Sequence, residues 1–250
     1  MKDELAEGMR YTAFPTNSMV AIADITALDL NAVSNQPEAP RPAARGRLSV
    51  YRHFLKRFFD VSFVLLTLPF SLPLIAFCAL TLWFEGGKPF YTQARLGAGG
   101  KRFSILKLRS MVDNADQVLE VYLARDPEMK REWDSIQKLT DDPRITPVGA
   151  ILRKTSLDEL PQLWNVLRGD MSLVGPRPMM PDQLKLYGNP RAYFSLRPGI
   201  TGRWQVSARN SERFSYRNEV DAVYERTHSF WADLVILFKT VGVVLRRTGQ

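Results

Sequence analysis

Residues 153–178 read RKTSLDELPQLWNVLRGDMSLVGPRP and predict a helix, a short strand and a rigid turn in succession. Ser156 and Glu159 have the spacing of a capping box, which predicts the start of a helix over 157–167. The apolar residues at positions i, i+3, i+4 and i+7 of its expected buried face are Leu160, Leu163, Trp164 and Leu167. A strand at 170–174 then leads into an arginine held between two prolines.

Two adjacent carboxylates, Asp158 and Glu159, stand at the start of this predicted helix. Acids at that position complement the helix dipole and cap free amides, which is a complete structural explanation for one of them. Asp158 is left over, and it shares with Gln162 and Asn165 the helix face away from the apolar stripe. A carboxylate at a helix N-terminus stays ionised, which suits a nucleophile or a metal ligand. Hard oxygen donors near phosphate indicate Mg²⁺, which binds one or two carboxylates.

Cationic residues around this stretch predict an anion site. Arg177 lies between Pro176 and Pro178, which limit its backbone freedom, so its guanidinium can bind a phosphate through two parallel hydrogen bonds. A surface turn with a solvated arginine is the alternative. The other candidate cations are Lys107 and Arg109 on one side of a predicted strand end, Arg153, and Arg197 before a tight Gly/Pro loop. For the strand pair the alternative is a solvated face.

Residues 61–84, VSFVLLTLPFSLPLIAFCALTLWF, carry no charge, and about 20 apolar residues span the hydrocarbon of a bilayer. Pro69 and Pro73 each remove a helical hydrogen bond at the midpoint, and Ser71 between them can satisfy a freed backbone group. Cations flank both ends, so the positive-inside rule gives no orientation. These features favour a helix-break-helix hairpin that dips into one leaflet; a spanning helix and a soluble core helix are the alternatives. Residues 48–60 mix aromatics with cations, which predicts an interfacial helix start.

The formal net charge of +8 over 250 residues suits nucleic acid, an anionic membrane surface or phosphorylated substrates. No nucleic-acid recognition motif is visible, so we expect no nucleic-acid partner. One cysteine and two histidines exclude a disulfide framework within the chain and argue against zinc chemistry. Residues 1–47 predict a disordered or weakly ordered tail, and their start lacks a charged-then-apolar leader, so we expect no signal peptide.

The rest of the chain predicts a helix-rich α/β domain. Residues 85–111 predict a β-hairpin, whose glycine-rich turn lacks the spacing of a phosphate-binding loop. The other predicted elements are two helices at 112–138 that break at Asp126 and Pro127, a helix opened by Thr146 and Pro147, a helix near 181–187, a strand near 203–206 and a helix at 229–247.

Several segments, in this order, resemble one known family. They are KRFFD (56–60), the proline-broken run, PFYTQARLG and GKRFSILKLRSM (89–111), DDPRITPVGAILRKTSLDELPQLWNVLRGDMSLVGPRP (141–178) and RPGITGRWQVSARN (197–210). The chain is similar, over about residues 52–247, to the bacterial polyprenyl-phosphate glycosyl-1-phosphate transferases, the monotopic phosphoglycosyl transferases. It looks most like the members that prime exopolysaccharide assembly with a hexose-1-phosphate.

The resemblance implies a reaction and roles for the candidate residues. A sugar-1-phosphate would pass from a UDP-sugar to undecaprenyl phosphate with release of UMP, as the first membrane step of surface glycan assembly. By this analogy Asp158 forms a covalent phosphosugar intermediate and Glu159 holds Mg²⁺. Arg177 would bind phosphate, and Arg153, Lys107, Arg109 and Arg197 are further candidates for phosphate or nucleotide binding. Which sugar the donor carries stays open.

The resemblance also implies an architecture. We expect a helix-rich α/β fold in which residues 48–84 form an interfacial start and a re-entrant membrane hairpin (61–84), broken near Pro69, Ser71 and Pro73. This hairpin is attached to a cytoplasmic catalytic domain (85–250) with interfacial amphipathic helices. The expected location is the inner leaflet of the bacterial cytoplasmic membrane, with the catalytic domain facing the cytoplasm, and a homodimer is left open. The competing function is a catalytically silent membrane scaffold for polysaccharide machinery.

Overall fold

The computed structural model describes residues 51–207 and 214–245. The predicted tail at 1–47 and the end of the 197–210 motif lie outside the described residues. Within them the chain forms helices and two small sheets, which confirms the helix-rich fold with a sheet portion.

The first helix is a long apolar one, α1, which spans Lys56–Glu85 after a π-helical turn at Tyr51–Leu55. By length and composition it could cross a membrane, and among the described residues it is the one helix of that kind. Most of its large apolar side chains are exposed; the Phe70 side chain is 80% exposed. Helix α1 runs through Pro69 and Pro73 without interruption. The predicted break is therefore not seen, and the re-entrant hairpin stays a prediction.

Both ends of α1 bind the same globular part of the chain. Near its start, buried Asp60 accepts hydrogen bonds from the Ser172 hydroxyl (2.7 Å) and the Leu173 backbone N–H (3.0 Å). At its end, Glu85 accepts from the Thr146 hydroxyl (3.1 Å) and the backbone N–H of Val148 (3.2 Å). The helix is thus attached at two points rather than leaving the domain at one end.

The predicted β-hairpin is confirmed. Strands β1 (Phe90–Leu96) and β2 (Arg102–Leu108) pair antiparallel, with Phe90 opposite Leu108 and Leu96 opposite Arg102. The turn between them uses positive φ at Gly99 and Gly100, a conformation that favours glycine.

The three helices predicted next are also confirmed. Helix α2 spans Ala115–Arg125, α3 spans Pro127–Ile136 and α4 spans Pro147–Thr155. Asp126 caps α3 by accepting from two backbone N–H groups, and Thr146 caps α4 by accepting from Gly149 N–H. A capping side chain followed by proline at the first helical position explains why the sequence located these helix starts.

The predicted helix over 157–167 is divided in the structure. A 3₁₀ segment, Leu157–Gln162, contains Pro161 and is followed by α5 at Leu163–Arg168. The predicted capping box is wrong: Ser156 has a φ of 57° and ends α4, and its side chain makes no cap hydrogen bond. The predicted burial of Trp164 is wrong as well, because that side chain is 57% exposed and Val166 is buried in the core.

The C-terminal part of the domain combines a parallel strand pair with short and long helices. Strand β3 is followed by α6 and α7, then β4, α8, α9 and α10; their bounds are Ser172–Val174, Leu184–Tyr187, Arg191–Phe194, Gly199–Thr201, Arg203–Ser207, Tyr216–Thr227 and Phe230–Leu245. Strands β3 and β4 pair in parallel. The strand predicted near 203–206 is wrong, since α8 occupies those residues, whereas the long helix at 229–247 is confirmed as α10.

The main core joins α1 to the strands and to the C-terminal helices. Its buried side chains come from α1, β2, α5, β3, α9 and α10 and the loops between them: Val64, Ile105, Leu163, Val166, Met171, Leu173, Val174, Leu196, Tyr224 and Ile236. Gly175 and Gly199 let the two strand ends approach, since an added Cβ on Gly199 would lie 2.1 Å from the Gly175 nitrogen. This close approach fixes the start of the turn after β3 against the start of β4.

Candidate active site

The carboxylate pair lies on the 3₁₀ segment, against the end of β2. Asp158 is buried, at 6% exposure, and Glu159 is half-buried. The Lys107 ammonium on β2 lies 2.9 Å from Glu159 Oε1 and 3.9 Å from Asp158 Oδ2. The structure therefore brings together the two predicted acids and one of the predicted cations.

Asn165 explains why the acids face β2. Its amide oxygen accepts from the Leu106 backbone N–H (3.0 Å), and its amide nitrogen donates to the Ser104 carbonyl (2.8 Å). Asn165 is 1% exposed, so the polar side of this stretch packs onto the sheet instead of facing solvent. The sequence placed Asp158, Gln162 and Asn165 on one face, and all three are buried.

Burial dominates the electrostatics of Asp158. Desolvation raises the pKa of its carboxyl, while the nearby charges of Lys107, Arg153 and Arg177 oppose the rise. The helix N-terminus expected to stabilise the ionised carboxylate is replaced by a 3₁₀ segment, and burial raises the pKa of Asp158 despite the nearby cations. A more basic carboxylate is a stronger nucleophile once it is deprotonated, whereas a solvated one is not activated in this way.

Arg177 lies beside the second acid of the pair. Its Nη2 is 3.5 Å from Glu159 Oε1, and its side chain keeps 31% exposure. The turn after β3 holds it there between Pro176 and Pro178. One end of the guanidinium therefore contacts the protein while the rest remains accessible to a ligand.

The remaining predicted cations fall in different places. Arg153 lines the same cleft as Asp158, and its Nε donates to the Ser110 hydroxyl at 3.1 Å. Arg109 also lines the cleft, but its ion pairs are with Glu85 and Asp113 rather than with the carboxylate pair. Arg197 is exposed and lines no part of the cleft, so the structure does not bring it to the carboxylate pair.

The cleft has a volume of about 700 Å³. Sequence reasoning missed two of its arginines, Arg95 and Arg217. Burial lowers the pKa of Arg95 to about 10 and that of Arg217 to about 9, and the nearby charge of Arg177 adds to both effects. The Arg217 guanidinium stacks 4.1 Å from the centre of the Trp204 ring. Three arginines that repel one another in one cleft favour an anionic ligand. No spacing in the sequence links these residues, because the fold alone brings them together.

The donor set fits a magnesium ion that completes its coordination on a ligand. Among the described residues no group of three or more His, Cys, Asp or Glu side chains could hold a metal by themselves. Mg²⁺ needs only one or two carboxylates when substrate phosphates supply the other oxygens. Asp158 and Glu159 meet that requirement, and Glu159 is the more accessible of the two.

The fold and the site together describe a protein that combines an exposed apolar helix with a cleft in which a buried carboxylate faces cations. The chain matches the bacterial sugar transferase family over residues 51–247 and belongs to that family. The family predicted from the sequence motifs is confirmed.

Several individual proteins have sequences similar to this chain. The chain is 49% identical over 197 residues to the UDP-galactose-lipid carrier transferase of Erwinia amylovora, and 48% identical to the undecaprenyl-phosphate galactose phosphotransferase of Salmonella typhimurium. Each match covers 78% of this chain and 41% of the relative, so the chain spans about two fifths of their length. It is 43% identical over 211 residues to the exopolysaccharide production protein ExoY of Rhizobium meliloti, a match that covers 84% of this chain and 93% of ExoY.

Proposed function

We propose that the protein transfers a sugar-1-phosphate from a UDP-sugar to undecaprenyl phosphate and releases UMP, within exopolysaccharide synthesis. The observation that carries the proposal is Asp158, a buried carboxylate in a cleft that also contains Lys107, Arg153 and Arg177. The names of the relatives support it, since they include an undecaprenyl-phosphate galactose phosphotransferase and an exopolysaccharide production protein.

In the first half-reaction, a carboxylate oxygen of Asp158 attacks the β-phosphorus of the donor. A bond forms between that oxygen and phosphorus, and the bond from phosphorus to the bridging oxygen breaks. UMP leaves with the electron pair, and the sugar phosphate stays on Asp158 as an acyl phosphate. No proton has to be removed from the nucleophile, provided that the carboxyl is already ionised.

The surrounding cations stabilise the negative charge of this step. Lys107 and Arg177 both contact Glu159, so they lie next to the attacking residue and can bind the oxygens of the diphosphate. Arg153 supplies a further positive charge from the wall of the cleft. Mg²⁺ held by Glu159 would add charge neutralisation on the phosphate oxygens.

In the second half-reaction, a phosphate oxygen of the lipid attacks the phosphorus held on Asp158. The bond from phosphorus to the carboxylate breaks and the free carboxylate returns. The product is a polyprenyl diphosphate sugar. A covalent intermediate allows a water-soluble donor and a lipid acceptor to use one carboxylate in turn.

The lipid acceptor requires contact with a membrane, and α1 supports a seat in a single leaflet, which we propose to be the cytoplasmic one. Asp60 and Glu85 at its two ends bind the same domain, while the side chains between them are apolar and largely exposed. A straight path across the bilayer would place one of these ends on the opposite side from the domain. We therefore propose the re-entrant seat, with the bend supplied by Pro69 and Pro73.

The proposal is tested by UMP release from the purified protein with Mg²⁺, undecaprenyl phosphate and a panel of UDP-sugars. We expect release that depends on the metal and on Asp158, with a lipid requirement for continued turnover. The matched variant is Asp158→Asn, which keeps the size of the side chain. A folded sample that releases no UMP with any donor would favour the silent scaffold instead.

A further inference from the structure

A second cavity reaches the carboxylate pair from the side of α10. Its volume is about 260 Å³, and Glu159 and Arg177 form part of its wall. Arg177 and Asp158 line the larger cleft. The two cavities therefore share Arg177. Asp158 lines the larger cleft, and Glu159 lines the second cavity.

The wall of this second cavity differs chemically from that of the cleft. Within the part of the chain that the structure describes, half of its lining side chains are aliphatic: Leu157, Leu160, Leu163, Ile200, Val206, Val243 and Val244. Helix α10 is held at the wall by a hydrogen bond of 2.7 Å between the hydroxyls of Thr240 and Thr201. Of the described residues that line this cavity, only Glu159 and Arg177 are charged. A branched apolar chain that ends in an anion matches this lining, whereas a nucleotide does not.

Helix α10 presents apolar side chains on two opposite faces. Its inner face packs Ile236 into the core and directs Val243 to the cavity. Its outer face exposes Trp231 (72%), Val235, Phe238 (70%) and Val241. A helix with an exposed apolar face of this extent marks contact with a membrane or a partner. The ring of Phe230 at its start packs against the Phe59 ring of α1, with 4.8 Å between the two ring centroids. The outer face of α10 therefore adjoins the exposed apolar surface of α1.

We propose that this second cavity binds the first isoprene units of the polyprenyl phosphate acceptor, with the acceptor phosphate at Arg177. The inference rests on the proposed function. A protein cavity of about 150 Å³ accepts a benzene ring, so 260 Å³ is room for about two isoprene units. The remaining isoprene units of the lipid would stay in the membrane leaflet beside α10. Donor and acceptor then approach the same carboxylate through different cavities.

The first test fills the cavity from α10. Val243→Phe places a ring in the cavity, and Val241→Phe places the same ring on the outer face of the same helix as the matched control. We expect Val243→Phe to raise the KM for undecaprenyl phosphate about tenfold, and to leave the release of UMP in a lipid-free burst unchanged. Val241→Phe should alter neither quantity. Equal effects of the two variants on the KM for lipid would overturn the inference.

The second test does not depend on turnover. The full chain in nanodiscs is irradiated with an undecaprenyl phosphate analogue that carries a diazirine on its second isoprene unit, and the labelled peptides are identified. We expect labels within 155–163, 200–206 or 240–244, removed by excess undecaprenyl phosphate and reduced by Val243→Phe. Labels elsewhere, or equal competition by bulk phospholipid, would overturn the inference. Labelling without a UMP burst would instead contradict the proposed function and retain the lipid site.

Discussion

The Lys107 ammonium lies 2.9 Å from Glu159 Oε1, and this contact joins a strand of the hairpin to the carboxylate pair. The same ammonium is 3.9 Å from Asp158 Oδ2. The positive charge of Lys107 compensates both acids and lowers the pKa of Asp158, whereas burial raises that pKa. The reactivity that we propose for Asp158 depends on this balance.

We expect Lys107→Met to lower the rate of the UMP burst about 100-fold, since a preorganised charge next to the reacting phosphate is lost. The pKa of Asp158 should also rise further, because Lys107 is the largest influence that lowers it. Burst amplitude and rate at several pH values give both quantities. Lys107→Arg keeps the positive charge and is the control. A Met variant with the wild-type rate and pH profile would show that Lys107 has only a structural role.

The wild-type burst itself should depend on pH in a defined direction. Burial raises the pKa of Asp158 above its ordinary value, and only the ionised carboxylate attacks phosphorus. The burst should therefore decline on the acid side at a higher pH than an ordinary aspartate, near 3.9, would give. Rapid-quench measurements of UMP without lipid test this. A burst that stays constant down to pH 4 would exclude the raised pKa.

Asp221 should contribute a pH dependence to stability. It is buried and accepts a hydrogen bond of 2.6 Å from the Tyr187 hydroxyl, and burial raises its pKa to about 6. The folded state then binds more protons than the unfolded state between about pH 4 and pH 6, so the free energy of unfolding falls as pH rises across this window. The loss approaches about 3 kcal/mol.

Asp221→Asn removes the titrating group and keeps an acceptor for Tyr187. Chemical denaturation from pH 4 to pH 7 should show that the free energy of unfolding of the variant increases relative to that of the wild type as pH rises. A difference between the two proteins that is the same at every pH would refute the assignment.

Asn165 should be needed for the position of the acids. Asn165→Ala leaves the Leu106 N–H and the Ser104 carbonyl without this partner, which should cost about 2–3 kcal/mol in the free energy of unfolding. The burst rate should fall as well, since α5 no longer holds the 3₁₀ segment to β2. Trp164→Ala, at the exposed neighbour, is the control for both measurements. Similar losses in the two variants would argue against a positioning role for Asn165.

The seat of α1 is tested by the accessibility of single cysteines. In a Cys78→Ser background, Arg52→Cys and Lys88→Cys introduce labels just outside the two ends of the helix. A membrane-impermeant maleimide should label both in inverted vesicles and neither in intact spheroplasts. Labelling of the two positions from opposite sides would establish a spanning helix.

Local signals in the sequence explain which parts of the fold were predicted. Asp126 and Thr146, each followed by proline, defined helix starts, and the glycine-rich turn defined the hairpin, because these features act over a few neighbouring residues. The helix at 157–167 was not predicted correctly, since Ser156 takes a positive φ and Pro161 favours a 3₁₀ segment.

The candidate site divides in the same way. Asp158, Glu159 and Arg177 lie in one stretch of sequence, and their adjacency was visible there. Arg95 and Arg217 reach the cleft from β1 and α9, and no short-range pattern connects them. Burial also raises the pKa of Asp158, and burial depends on tertiary contacts such as those of Asn165 with β2.

The most direct test of the account is intact mass spectrometry of the protein after incubation with a UDP-sugar and Mg²⁺ in the absence of lipid. We predict a mass increase of one sugar phosphate, located on the peptide that contains Asp158, absent from Asp158→Asn and lost when undecaprenyl phosphate is added. UMP release that requires lipid from the first turnover, with no adduct on Asp158, would contradict the covalent mechanism.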